Sequence, residues 1–238
     1  MANKTAFIPG IGDITLAKRR GNTNIRLSFG RDGTVRVSLP HWLPYQAGIE
    51  FAKARHNWIT SHRPVGNPLL KEGDRIGKAH RLTFVADGSL AKATVRTTQL
   101  KITVLHPPAS LLSSDDVQKA AQRGALKALK KQSDRLLPAR LQVLAQNNGF
   151  RYKSVSTKRL SSRWGSCSST KHITLNIFLM QLPWHLIDYV LLHELVHTEQ
   201  LDHSEAFWRR FEGVLPGAKR VRRELKTHQT AIAPLAAG

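Results

Sequence analysis

The chain has 238 residues and a mass of 26.6 kDa, a size for one elaborated domain or two small ones. Hydrophobic residues make up 41%, enough for a core, while the absence of any run of about 18 apolar residues excludes a membrane-spanning helix. Thirty-seven Lys and Arg face sixteen Asp and Glu, a formal +21 that attracts polyanions or acidic partners; the single cysteine, Cys167, excludes an intrachain disulfide and points to a reducing cytoplasm.

The first residues, "MANKTAFIPGIGDITLAKRR", lack an apolar stretch followed by a small-residue cleavage site, so no signal peptide is expected. Up to about Pro108 the pattern is mostly strand-like. "NIRLSF" (24–29) and "TVRVSL" (34–39) alternate apolar and polar residues around Gly30-Arg31-Asp32-Gly33, which predicts a hairpin. Residues 45–61 follow helical spacing, with Ile49, Ala52 and Ile59 among the apolar positions. "HRLTFVA", "KATVRTT" and "LKITVLH" predict short antiparallel strands. "HPPASLLSSDD" (106–116) is a break, with Ser114 placed to cap a helix over about 115–147 that Pro138 kinks or divides. Strand candidates follow at 152–157, 159–163 and "HITLNIFL" (172–179). Pro183 then opens the helix "PWHLIDYVLLHELVHTEQ". A shorter helix over 204–212, a break at Leu215-Pro216-Gly217 and a basic helix over 218–228 complete the chain, with a loose tail from 231 to 238. No internal repeat or long low-complexity run is visible. The basic residues are spread over the whole length, so nucleic-acid contact through the surface stays open, but no zinc knuckle, RNA-recognition signature or helix-turn-helix sharpens it.

The stretch "LLHELVHTEQLDHSEAFW" (191–208) concentrates the chemistry. Residues four apart on a helix differ by ~40° in azimuth and ~6 Å in height, so His193 and His197 project from one face and reach one ion. Zinc suits imidazole, and a catalytic zinc site uses three protein ligands with a water in the fourth position. Glu194, beside the first ligand, can reach that water without entering the coordination shell, the arrangement of His-Glu-x-x-His with the glutamate as general base. His203 is a third ligand candidate if the chain bends at Gln200–Asp202; Glu199, Asp202 and Glu205 are rivals, and Asp202 can instead orient an imidazole. Asn176, at the end of "HITLN", is either a polar substrate contact or a strand-end turn former. "RWGSCSS" (163–169) predicts a tight backbone turn supporting the site. Cys167 is not read as a nucleophile, because no histidine is spare to serve as its base. Trp164, Phe207 and Trp208 are expected to pack. His172, His185 and His228 are expected to be structural or exposed.

"RWGSCSS", "ITLN" (173–176), "LPWHLIDYVLLHELVH" (182–197) and "DHSEAFW" (202–208) together resemble the YgjP-like metallopeptidases, small zincins related to the SprT-like proteases. The resemblance covers about 155–210. It implies an α+β fold with a zincin-like core, an active-site helix against a small sheet, preceded by a strand-rich N-terminal region. It implies one zinc ion held by His193, His197 and His203, Glu194 as catalytic base, and a peptide or protein substrate. One departure is Asp202, where asparagine is usual in the family. The organisation expected is a strand-rich region over 1–112, serving docking or substrate selection, a metallopeptidase domain over 113–230, and the tail. The alternative is a basic nucleic-acid-associated module, or a protease acting on DNA-bound proteins, with zinc in a mainly structural role.

Overall fold

The computed structural model describes residues 3–30, 34–62 and 69–232. The chain divides into two compact units, 1–68 and 69–238, each with its own apolar core. The division falls after Pro68, not near 112, because the strands between 75 and 106 pack on the long helix that follows them.

The first unit is a four-stranded sheet covered by two short helices. β1 (Asn3–Ile8) and β2 (Gly12–Arg19) form a hairpin, turned at Gly10, whose φ of 80° favours glycine. β3 (Arg26–Phe29) and β4 (Val35–Pro40) pair antiparallel as expected, with Gly30 N donating to Thr34 O; the remaining turn residues, 31–33, lie outside the described residues. β4 also inserts beside β2 in parallel, giving the order β1-β2-β4-β3. Ile14, Leu16, Val35, Val37 and Leu39 alternate inward and are buried. The expected helix over 45–61 is two helices, α1 (Tyr45–Lys53) and α2 (His56–His62). α1 lies close on the sheet at Gly48, where a Cβ would come within 2.9 Å of Leu16 Cδ2.

The second unit opens with the same sheet again. β5 (Arg75–Ile76), β6 (His80–Ala86), β7 (Thr94–Thr97) and β8 (Lys101–His106) take the order β5-β6-β8-β7. The uniformly antiparallel expectation is corrected at one step: β6 and β8 are parallel, while β5–β6 and β7–β8 are antiparallel. The registers correspond pair for pair. Ile8↔Gly12 matches Ile76↔His80, Ile14↔Val35 matches Leu82↔Ile102, and Leu27↔Val37 matches Val95↔Val104. The topology is thus repeated, and only the apolar character of its inward positions repeats in the sequence.

α3 (Asp115–Asn148) follows as one 34-residue helix that runs through Pro138 undivided and ends at Gly149, with φ 73°. A third sheet has the order β10-β11-β9, built from β9 (Ser154–Lys158), β10 (Gly165–Cys167) and β11 (His172–Asn176). Residues 159–163, expected as a strand, are loop, and the strand lies one step later in "GSC". β11 continues into a 3-10 turn, Ile177–Gln181, and Pro183 caps α4 (Trp184–Val196). α5 (Glu205–Val214) and α6 (Ala218–Leu225) complete the unit. The tail is pinned at its start, where Ala231 O accepts from Gln181 Nε2 at 2.6 Å and Ile232 is buried; residues 233–238 lie outside the described residues. No helix among the described residues is long and apolar enough to cross a membrane.

Candidate metal centre

α4 is apolar almost all round: Leu186, Ile187, Val190, Leu191, Leu195 and Val196 are buried. This fixes its rotation, so the polar positions His193, Glu194 and His197 can only look into the site. The helix ends at His197. Thr198 Oγ1 donates to Leu195 O at 2.7 Å and Gln200 N donates to Val196 O at 2.9 Å, satisfying carbonyls that the helix end leaves open. The chain then bends at 201–202, and Asp202 Oδ1 accepts from Ser204 N at 3.0 Å, which sets up the start of α5. That carboxylate shapes the loop; no imidazole hydrogen bond to Asp202 is found among the described residues. The hydrogen bonds from Ser204 hold its carboxyl below the usual carboxylate range.

The bend brings His203 back to the helix. His193 Nε2 lies 3.2 Å from His197 Nε2 and 3.0 Å from His203 Nε2, and the three facing atoms lie within 4.8 Å of one another. Two nitrogens at the usual ~2.0–2.1 Å from a tetrahedral zinc stand about 3.3 Å apart, close to the separations seen. The donors are of the right kind. Gln200 O can only accept, so His197 Nδ1, 2.9 Å away, holds the proton and leaves Nε2 as a lone pair facing its neighbours. Burial, then the neighbouring His197 and His203, lower the His193 pKa to about 3; burial also lowers that of His197. Both rings are therefore neutral, the form that binds metal. Beneath them lies Phe207, fully buried, with its ring centroid 4.9, 4.6 and 4.8 Å from His193, His197 and His203. Trp208 stacks on His203 at 5.9 Å, and Tyr189 on His193 at 6.1 Å.

Glu194 is 5% exposed, and its Oε2 has no hydrogen-bond partner. Burial pushes its carboxyl up to about 8, with Arg163 partly opposing the rise. β10 lies directly against it: a Cβ on Gly165 would come within 2.7 Å of Glu194 Oε1 and 2.9 Å of Cδ. Gly165 is therefore not the tight turn expected of "RWGSCSS" but a strand position cleared for the glutamate. Its importance is invisible in the sequence, where a glycine beside small polar residues reads as a turn.

Of the two readings of Asn176, the geometry supports the strand-end turn former. It is fully buried, donates to Leu160 O at 3.0 Å and Arg163 O at 2.8 Å, and accepts from Phe178 N at 3.2 Å. It ties the 160–163 loop to the end of β11 and has no capacity left for a substrate. Cys167 is half-buried, and burial followed by Glu194 pushes its thiol up to about 11, which removes a thiolate nucleophile. His172 lies between Ser154 and Ser156, and His185 pairs with Glu224 at 2.9 Å, away from the cluster.

The comparisons bear on this centre. The solved metallopeptidase zymogen of Pyrococcus abyssi abylysin is similar to part of the chain, with 28% identity, 41% of this chain and 100% of that chain covered, and a TM-score of 0.36. No curated protein matches. The model of the YgjP-like metallopeptidase domain matches residues 23–228. With most of its length so matched, the chain belongs to the YgjP-like metallopeptidase family.

Proposed function

We propose that the chain is a zinc-dependent peptidase with a zincin-like second unit, in which His193, His197 and His203 hold one zinc ion and Glu194 is the general base. The observation that carries this reading is the convergence of three imidazoles beside a buried glutamate whose Oε2 has no hydrogen-bond partner. When bound, zinc supplies a Lewis acid for the scissile carbonyl and a water of lowered pKa. Glu194 accepts the proton of the attacking water and passes it to the leaving amine. Gly165 holds the carboxylate in place by letting β10 press against it, and Phe207 keeps the three rings in register.

The substrate strand pairs with β10. β11 is the central strand of its sheet and has no free edge, whereas β10 is an edge. Trp164 O accepts from Asn176 N and Ser168 N donates to His172 O, so the inward-bonding residues are 164, 166 and 168. By the alternation of an antiparallel ladder, the main-chain groups of Gly165 and Cys167 face outward, ready for an extended peptide. The first unit serves docking or substrate selection.

The rival reading, a nucleic-acid module with structural zinc, has the +21 charge behind it. A structural site has no use for a buried carboxylate beside the ligands, and Glu194 favours the enzyme. Metal analysis of the purified chain with its Glu194→Gln and His203→Ala variants decides. The glutamine variant is expected to retain one metal and lose ~10²–10⁴ in peptide hydrolysis, and His203→Ala to bind metal more weakly. Equal turnover by Glu194→Gln on a peptide the wild type cleaves would overturn the mechanism, and loss of its metal would put Glu194 among the ligands.

A further inference from the structure

Two arginines flank the histidine centre from different elements. Arg222, exposed on α6, has its guanidinium 5.0 Å above the Trp208 ring, the ring that stacks on His203. Such stacking restrains an otherwise mobile side chain and aims it. Arg222 is close enough to act on the charge of both His193 and Tyr189. On the other side Arg163 precedes Trp164 and Gly165, its carbonyl clamped by Asn176 Nδ2 at 2.8 Å, and its charge acts on Glu194.

The acids of the 199–205 segment are already engaged. Glu199 pairs with Arg210 at 2.8 Å, Glu205 with Arg209 at 2.8 Å, and Asp202 accepts from Ser204 N. Neither Arg163 nor Arg222 has an ion-pair partner among the described residues. Two guanidinium groups without an ion-pair partner therefore stand beside the site, each with a planar fork of donors that matches a carboxylate. Arg163 lies two residues before the open edge of β10, which suits an extended polypeptide.

We propose that Arg163 and Arg222 form a carboxylate-binding rim that selects peptides with acidic side chains on both sides of the scissile bond. The proposal rests on the peptidase reading above and names its substrate class. Substrate carboxylates replace the missing partners of the two arginines and draw the chain across the site along β10.

The test uses the full chain, loaded with zinc and carrying Glu194→Gln so that peptides are not consumed. Fluorescence anisotropy measures binding of three labelled decapeptides identical but for aspartate, asparagine or lysine at the flanking positions, and of a labelled single-stranded oligonucleotide. The aspartate peptide is expected to bind most tightly. Arg163→Ala and Arg222→Ala should each weaken it about fivefold at low salt, the size of a well-placed exposed ion pair, and leave the asparagine peptide unchanged. Arg222→Lys should fall between, because it keeps the charge and loses the fork. The doubly reversed Arg163→Glu, Arg222→Glu protein should prefer the lysine peptide. Lys127→Ala, an exposed charge on α3, controls for net charge and should do nothing. Equal binding of the aspartate and asparagine peptides, or equal weakening by Lys127→Ala, would overturn the rim. So would an oligonucleotide that binds more tightly than the aspartate peptide through the same arginines. Cleavage is followed in parallel with Glu194 intact: arginine-dependent binding of the acidic peptide without turnover supports the rim while removing the peptidase mechanism.

Discussion

Gly165 and Glu194 form a contact that no spacing rule reaches, because the two residues are brought together by a strand and a helix. Gly165→Ala is expected to push the carboxylate aside, since a Cβ there would sit 2.7 Å from Oε1. A displacement of about 1 Å costs on the order of 10²-fold in rate, while the imidazoles are untouched. Turnover should fall with metal content unchanged, and full activity in the variant would show that the glutamate needs no such clearance. Asn176 is the opposite case. Its strand-end position allowed a substrate contact, and only burial shows that its bonds are spent within the chain. Asn176→Ala should cost about 2–4 kcal/mol in urea unfolding by stranding Leu160 O and Arg163 O; a loss below 1 kcal/mol, with altered KM, would restore the substrate role. His193, Glu194 and His197 were legible because one helix fixes their spacing. His203 was legible through the resemblance, because the bend that returns it has no glycine and is held by Thr198, Gln200 and Asp202.

Elements were legible in kind and less so in partnership. Alternating apolar residues mark β2, β4, β6 and β8, but the alternation is the same whether a neighbour runs parallel or antiparallel, so the β2–β4 and β6–β8 pairings could not be read. Pro138 suggested a kinked or divided helix. α3 stays whole because Leu129, Leu137, Leu141 and Leu144 bury one continuous face, which outweighs a penalty of about 3 kcal/mol for an interior proline. The same helix meets β8 closely at Gly124, where a Cβ would lie 2.5 Å from Ile102 Cγ2 and 2.6 Å from Val95 Cγ2. Gly124→Ala gains helix propensity and loses more to overpacking, a net destabilisation of roughly 1–2 kcal/mol. Gly213→Ala in α5, with nothing near its would-be Cβ, should instead stabilise by up to about 1 kcal/mol. Opposite shifts in Tm check the pair. α3 is also tied to β5 and β6 through Gln132, whose Nε2 donates to Ile76 O at 3.0 Å and to His80 Nδ1 at 2.8 Å, while His80 Nε2 donates to Thr98 O at 3.1 Å. His80 is thus held neutral, and burial, with Lys131 and Arg135 adding, lowers its pKa from 6.5. The unfolded chain takes up a proton there that the folded chain resists, so this contribution is complete above about pH 6.5 and is lost as pH falls below it. Melting of wild type and His80→Gln between pH 7.5 and 5, both with the metal chelated, should show the difference between them shrinking with acidity. A constant difference would mean that His80 does not titrate with folding.

At the scale of the whole molecule, the feature least legible in the sequence is that one four-stranded topology is used twice. The inward positions match mostly as apolar for apolar, as Ile14 for Leu82, with identity at a few such as Val37 and Val104, too little for a repeat to show. The two copies face different tasks. In the second unit the sheet packs on α3, which also packs on α4, the helix that carries His193 and His197, whereas the core of the first unit closes within residues 8–59. Among the described residues the buried core of the second runs from Leu70 to Ile232. A chain beginning at Leu69 is therefore expected to keep its cooperative unfolding transition and to bind one metal like the full chain. If the first unit docks substrates, the shortened chain should cleave short acidic peptides at nearly the full rate. Cleavage of long protein substrates should fall by about tenfold or more, because a second attachment raises effective concentration at the site. Steady-state rates on matched short and long substrates measure the split. Equal losses on both, with metal retained, would mean that the first unit shapes the catalytic site itself, and unchanged rates on both would leave it no part in substrate selection.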